Sequence, residues 1–214
     1  MTALDYTALD RMIMDFDRNV LRVLTGRSES SRQSPADGIE DAPLDAETRR
    51  HVAGLMRVNH AGEVSAQALY QGQALLARDP GTREKMQRSA DEEIDHLHWC
   101  EQRLSELGGR TSLLDPVWYA GSLVIGMAAG LTGDDWSLGF IEETERQVVE
   151  HLQGHLDQLP HEDKKTRAIL RQMQQDESDH GEKAAAAGAR PLPEFIRAGM
   201  RFCARVMTRT SYYL

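Results

Sequence analysis

The sequence predicts an all-α protein, a four-helix bundle made of two helix hairpins, and three observations lead there. Ala, Leu, Glu, Gln, Arg and Met recur along all 214 residues while aromatic residues make up only 6%, a composition that favours helix over sheet. Apolar residues return at intervals of three and four through most of the chain. One pattern also occurs twice: a lone Glu followed some thirty positions later by Glu-x-x-His, first as Glu63 with Glu93 and His96, then as Glu145 with Glu177 and His180. On helices this supplies four carboxylates and two imidazoles from four different elements, the ligand set of a di-iron carboxylate centre inside a helical bundle.

The elements follow in order. Leu9, Met12, Ile13, Phe16, Val20, Val23 and Leu24 mark a short amphipathic helix, and residues 27–43, rich in Ser, Asp, Gly and Pro, have no periodicity and read as a mobile linker. A helical pattern over 45–78 is stopped by Asp79-Pro80-Gly81, and a second runs to Gly108-Gly109, making one hairpin. Asp115-Pro116 reads as an N-cap with Pro at the first helical position, opening an apolar segment over 117–131 that Gly130, Gly133 and Asp134 close. A third long helix over 136–158, broken by Pro160, and a fourth over 162–187, ended by Gly188 and Pro191, form the second hairpin. A last helix from Pro193 carries Arg197, Arg201, Arg205 and Arg209 opposite Ile196, Met200, Cys203 and Met207. The chain thus divides into an N-terminal amphipathic helix (1–26), a flexible linker (27–44), the bundle with its apolar helix 116–131 (45–190) and a basic amphipathic C-terminal helix (191–214).

Composition removes several function classes. A net charge of -9 argues against nucleic acid as a partner, because binding phosphate needs a dense basic face. Cys100 and Cys203 are far apart and form no CxxC pair, so neither a disulfide scaffold nor a thiolate metal site is expected, and a reducing compartment fits. Asp5 and Asp10 interrupt the N-terminus, which lacks a basic lead segment, so no signal or transit peptide is expected.

Glu-x-x-His is short and arises readily by chance, so position has to identify the ligands. Residues three apart on a helix share a face, which lets Glu93/His96 and Glu177/His180 each chelate one side of a metal pair. Glu145 interrupts the apolar stripe Leu138, Ile141, Val148, Leu152 and Leu156, whereas Glu142, Glu143 and Glu150 lie off it. Glu177 and His180 interrupt the seam of Ile169, Met173 and Ala184, and Glu93 that of Met86, Ala90, Leu97, Cys100 and Leu104. Glu63 shares a face of mixed polarity with Met56, Asn59, Ala66 and Tyr70. Burying four carboxylates costs several kcal/mol each unless they are compensated, and two Fe(II) ions match their charge. The all-oxygen-and-nitrogen donor set suits iron or manganese better than structural zinc. Asp176, Asp179, Asp95 and Asn59 are candidates for orienting the imidazoles. His51, His60, His98, His151, His155 and His161 read as surface residues, and Cys100 as a small buried hydrophobe.

The segments VNHAGEVSAQALYQGQ (58–73), DEEIDHL (91–97), ETERQVVEHLQGHL (143–156) and DESDHGEKA (176–184) together resemble the demethoxyubiquinone hydroxylases of ubiquinone biosynthesis, over nearly the whole chain. That resemblance implies a ferritin-like bundle with Glu63, Glu93, His96, Glu145, Glu177 and His180 as ligands of two Fe ions, Glu93 and Glu177 bridging. It also implies a monooxygenase that uses O2 to hydroxylate the ring of a 2-polyprenyl-3-methyl-6-methoxy-1,4-benzoquinol. With no strand-linked GxGxxG in the chain, electrons come from an external reductant: NADH, a reductase or the quinol itself. The alternatives are a ferritin-like iron oxidase or store, built on the same bundle, and a non-catalytic membrane-associated scaffold.

A prenylated substrate gives the apolar segment a purpose. Its fifteen residues fall short of a span and are interrupted by Gly121, Gly126 and Gly130, so it should not cross a bilayer. One reading has it dip into one leaflet beside the arginine-bearing C-terminal helix, placing the protein peripherally on the cytoplasmic side of the inner membrane, where other members of a ubiquinone-making complex are possible partners. The other has it packed on the bundle as an internal crossover.

Overall fold

The computed structural model describes residues 30–214, so the amphipathic helix expected over 1–26 lies outside the described residues. Six helices follow one another: α1 (Ala46–Leu76), α2 (Pro80–Glu106), α3 (Asp115–Thr132), α4 (Asp134–Gln158), α5 (Lys164–Ala186) and α6 (Glu194–Ser211), with no strand among the described residues. Hairpins α1/α2 and α4/α5 form a ferritin-like four-helix bundle, and α3 is the crossover between them.

Local chemistry sets the helix ends. Asp45 caps α1 by accepting hydrogen bonds from the Glu47 and Thr48 amides, Asp79 caps α2 through the Thr82 amide with Pro80 in the first turn, and Asp163 caps α5 through the Thr166 amide. Gly133, at φ 116°, makes the one-residue turn from α3 into α4, a backbone geometry that other residues rarely adopt. Asp115 is not the N-cap that its place before Pro116 predicts. The cap position is Leu114, without a side-chain hydrogen bond, and the buried Asp115 carboxylate instead lies 3.1 Å from His60 Nδ1.

The bundle core has two apolar layers with a polar layer between them, and a third apolar cluster, Val64, Ala68, Leu97 and Tyr119, packs α3 on the first hairpin. Val52, Met56, Trp99, Leu104, Leu152, Leu156, Ile169 and Met173 fill one end. Tyr70, Met86, Leu138, Ile141 and Ala184 fill the other. In every bundle helix the predicted ligands fall between these two sets, so apolar residues flank the polar layer at both ends. Buried Arg103 of α2 joins the hairpins: it donates to Thr166 Oγ1, Asp163, Glu106 and Asp41.

Glycines bring α3 against α1. A Cβ on Gly126 would overlap the Leu69 carbonyl, and one on Gly72 would overlap that of Leu123, so the two helices meet backbone to backbone. Only Asp115, Tyr119, Gly126 and Gly130 of α3 are buried; Val117, Val124 and Leu131 are about 60% exposed or more. The crossover therefore packs with one face and leaves the other open. The C-terminal end of α6 closes on the start of α3, where Trp118 Nε1 donates to Ser211 Oγ and the Leu113 amide to the Leu214 carbonyl. Along α6, Phe195 and Phe202 are exposed. No described helix is long and apolar enough to cross a membrane.

Residues 30–44, expected as linker, contain no helix but have defined partners. Asp95 accepts from the Ser31 amide at 2.7 Å and from Ser30 Oγ at 2.8 Å, and Arg32 reaches Asp176 at 2.8 Å.

Candidate metal centre

Position along each helix, not sequence proximity, assembles the site. Glu63 (α1), Glu93 and His96 (α2), Glu145 (α4) and Glu177 and His180 (α5) all project into the polar layer, and none is more than 3% exposed. They form two groups, Glu63–Glu93–His96–Glu177 and Glu93–Glu145–Glu177–His180, in each of which the donor atoms lie within 4.8 Å of one another. Glu93 and Glu177 belong to both, as two carboxylates shared between neighbouring ions would.

The imidazoles are aimed. His96 Nδ1 sits 3.1 Å from Glu177 Oε1, 3.2 Å from Glu93 Oε2 and 3.5 Å from Glu63 Oε2. His180 Nδ1 sits 3.1 Å from Glu177 Oε2 and 3.6 Å from Glu93 Oε1. Each ring's Nε2 faces the other way, His96 toward Asp176 at 3.0 Å and His180 toward Glu92. A carboxylate on Nε2 holds one proton there, so that a cation replacing the Nδ1 proton would meet a lone pair facing the cluster.

Electrostatics marks the layer as short of positive charge. Burial raises the Glu63 carboxyl well above the usual range, with Glu93 and Glu177 adding to the rise against an opposing hydrogen bond to His96. Burial likewise raises Glu145, with the Glu177 and Glu93 charges adding. Burial alone would lower His180, but hydrogen bonds to Glu177 and Glu93 reverse this and push it up to about 12. His96 is raised for the same reason, Asp176 being the first of its partners. Burial would raise Glu93, yet hydrogen bonds to His180 and His96 hold it below the usual range. Glu145 Oε2 is buried with no hydrogen-bond partner, and Glu177 Oε1 and Glu93 Oε1 face only the Nδ1 atoms of His96 and His180. Unpartnered buried carboxylate oxygens are costly, and cations are what such a donor set accepts.

All six predicted ligands thus fall in one cluster. Of the four suggested orienting residues only Asp176 touches a ligand imidazole. Asp95 holds residues 30–32, Asp179 accepts from Gln175, and Asn59 Oδ1 pairs with His155 Nδ1 at 2.8 Å. Two residues went unassigned. Glu92 does for His180 what Asp176 does for His96, and each immediately precedes a ligating Glu, so the repeat itself carried the signal. Tyr70 donates its phenolic proton to Glu145, a contact that no spacing rule announces. Nor are all the remaining histidines at the surface: His60 and His155 are buried, and burial lowers His155 to about 3. Cys100 is buried, as expected.

Fold and cluster define a class: a ferritin-like helical protein with a buried carboxylate–imidazole site compatible with metal binding. The family model described as ubiquinone biosynthesis protein COQ7 matches residues 50–211. A relative from Azoarcus sp. (strain BH72), named 3-demethoxyubiquinol 3-hydroxylase, is 53% identical over 203 residues, 95% of this chain and 98% of its own. Relatives of the same name from Chromobacterium violaceum (53% over 204 residues, 95% and 98% of the two chains) and Legionella pneumophila strain Corby (54% over 208 residues, 96% and 97%) are similar to the same extent. The chain belongs to the COQ7 family.

Proposed function

We propose that this chain is a 3-demethoxyubiquinol 3-hydroxylase, a monooxygenase of ubiquinone biosynthesis whose two Fe ions are held by Glu63, Glu93, His96, Glu145, Glu177 and His180. The observation that carries the reading is the pair of overlapping donor groups sharing Glu93 and Glu177. The relatives' common name supplies the substrate, a prenylated demethoxyquinol. It also favours hydroxylation over iron storage or a scaffold.

When bound, two Fe(II) ions supply the electrons and Lewis acidity for a reaction that puts one atom of O2 on the ring and releases the other as water. The chain's part is to hold that chemistry in place. Glu63 and His96 would hold one ion and Glu145 and His180 the other, with Glu93 and Glu177 within reach of both, so the four carboxylate charges would match two divalent cations. Asp176 and Glu92 keep the imidazole protons on Nε2. Tyr70 donates to Glu145 and fixes its orientation. The apolar layers on either side give the site a low-polarity surround. Electrons come from an external donor.

The exposed apolar residues of α3 and α6, with Arg197, Arg201, Arg205 and Arg209 alongside, fit peripheral attachment to the cytoplasmic side of the inner membrane, where a prenylated quinol resides. Incubating iron-loaded protein with a demethoxyquinol, a reductant and labelled O2 tests the assignment. One labelled oxygen in the hydroxylated ring is expected, and unlabelled or unchanged quinol rules it out.

A further inference from the structure

We infer that the two halves of the centre hold metal unequally: the Glu63–His96 half is locked by residues 30–32, and the Glu145–His180 half exchanges through a cavity between α2 and α5 at Glu92. This rests on the two-metal reading above and adds to it an order of release and a positioning role for Arg32.

The twofold likeness of the hairpins breaks immediately outside the ligands. On the His96 side, Asp176 is itself fixed, accepting from Arg32 Nη1 at 2.8 Å and from Gln172 Nε2 at 2.9 Å. The Arg32 guanidinium lies 4.8 Å from the ring centre of buried Trp99, whose ring in turn lies 5.3 Å from that of His96. Beneath this, Asp95 grips the strap that carries Arg32, through the Ser31 amide at 2.7 Å and Ser30 Oγ at 2.8 Å. His96 therefore cannot turn away from the centre without breaking a chain of charged and hydrogen-bonded contacts that reaches outside the bundle.

On the His180 side the matching carboxylate stands at an opening. The Glu92 side chain is 45% exposed, against 16% for Asp176. Together with Tyr70, His180 itself and the apolar Met86, Leu138 and Ile141 it lines a cavity of about 420 Å³, whose wall also carries Lys85, Arg88 and Lys183. Losing an ion requires its ligands to swing aside while water or another donor takes their place. Among the described residues, the cavity gives that access to His180, and the strap denies it to His96. The three cationic side chains would also draw an anionic chelator to the open half.

The test follows iron release from fully loaded, full-length protein into excess ferrozine, an anionic ferrous chelator, by absorbance under anaerobic conditions. Two phases of equal amplitude are expected, one ion leaving fast and one slowly. Arg32→Gln should speed the slow phase roughly 10- to 100-fold, the usual effect of removing a group that orients a ligand, and leave the fast phase alone. Arg32→Lys, which keeps a cation near Asp176, should restore part of the slow rate. Should Arg32→Gln fail to fold, Asp95→Asn loosens the strap without touching Asp176 and should accelerate the same phase. Glu92→Gln should alter only the fast phase. A single phase for both ions, or a strap variant that speeds both phases alike, overturns the inference while leaving the two-metal reading intact. Protein that never takes up two ions overturns that reading first.

Discussion

His60, the histidine of the Asn-His-Ala-Gly-Glu segment, joins three helices, and its charge makes a measurable prediction. Its ring on α1 has Nδ1 3.1 Å from Asp115 of α3 and Nε2 3.3 Å from Glu101 of α2, and it is 3% exposed. Burial alone would lower its pKa, but the two flanking carboxylates, Asp115 foremost, reverse this and raise it from 6.5 to about 9. A group whose folded pKa is raised contributes stability that is complete below its unfolded value and lost as pH rises through its folded one. The window here runs from pH 6.5 to about 9, and the contribution is on the order of 3 kcal/mol. Replacing His60 with Gln abolishes the titration and leaves buried Asp115 without its cation, at a cost of about 3–5 kcal/mol below the window. Urea unfolding of iron-loaded wild type and His60→Gln at intervals from pH 6 to 10 measures both effects. The variant should be the less stable at pH 6, with the gap closing by about 3 kcal/mol toward pH 10. Parallel profiles would refute the ion pair as the source of the effect, whatever their separation.

Other perturbations follow from the same contacts. Gly126→Val forces a side chain into the Leu69 carbonyl, and thermal unfolding should register about 1–3 kcal/mol of overpacking, with α3 displaced from α1. Arg103→Ala leaves fully buried Asp163 uncompensated and should lower stability by about 3–5 kcal/mol in denaturant titrations. Chelating the metal should lower the melting temperature, and in a Glu145→Gln variant calorimetry should find a smaller difference between loaded and stripped protein. Val124→Asp combined with Phe202→Asp should reduce flotation with anionic vesicles while circular dichroism stays unchanged; equal flotation would count against the exposed faces of α3 and α6 as the attachment surface.

What the sequence carried and what it did not divide along physical lines. Helix periodicity depends on neighbours three and four residues away, so the two hairpins and the crossover were legible. Glu145 stood out from Glu142, Glu143 and Glu150 because it alone replaces an apolar residue in the stripe; Glu143 is buried too, but it pairs with Arg146 and Gln147 and takes no part in the cluster. Relations set by tertiary packing were not legible. Asp115 looked like a cap because Pro116 follows it, but its carboxylate was needed across the helix interface at His60. His60 and His155 looked like surface residues because single histidines carry no burial signal of their own. Arg32 lies in a stretch whose Ser, Gly and Pro content announces only a lack of helix. Its reach to Asp176, 144 positions along the chain, has no local signature.

Anomalous diffraction at the iron edge from crystals of iron-loaded protein tests the central claim most directly. Two peaks are expected within the polar layer, both in contact with Glu93 and Glu177, one also with Glu63 and His96 and the other with Glu145 and His180. A single peak, or iron bound outside the ring of these six residues, would contradict it.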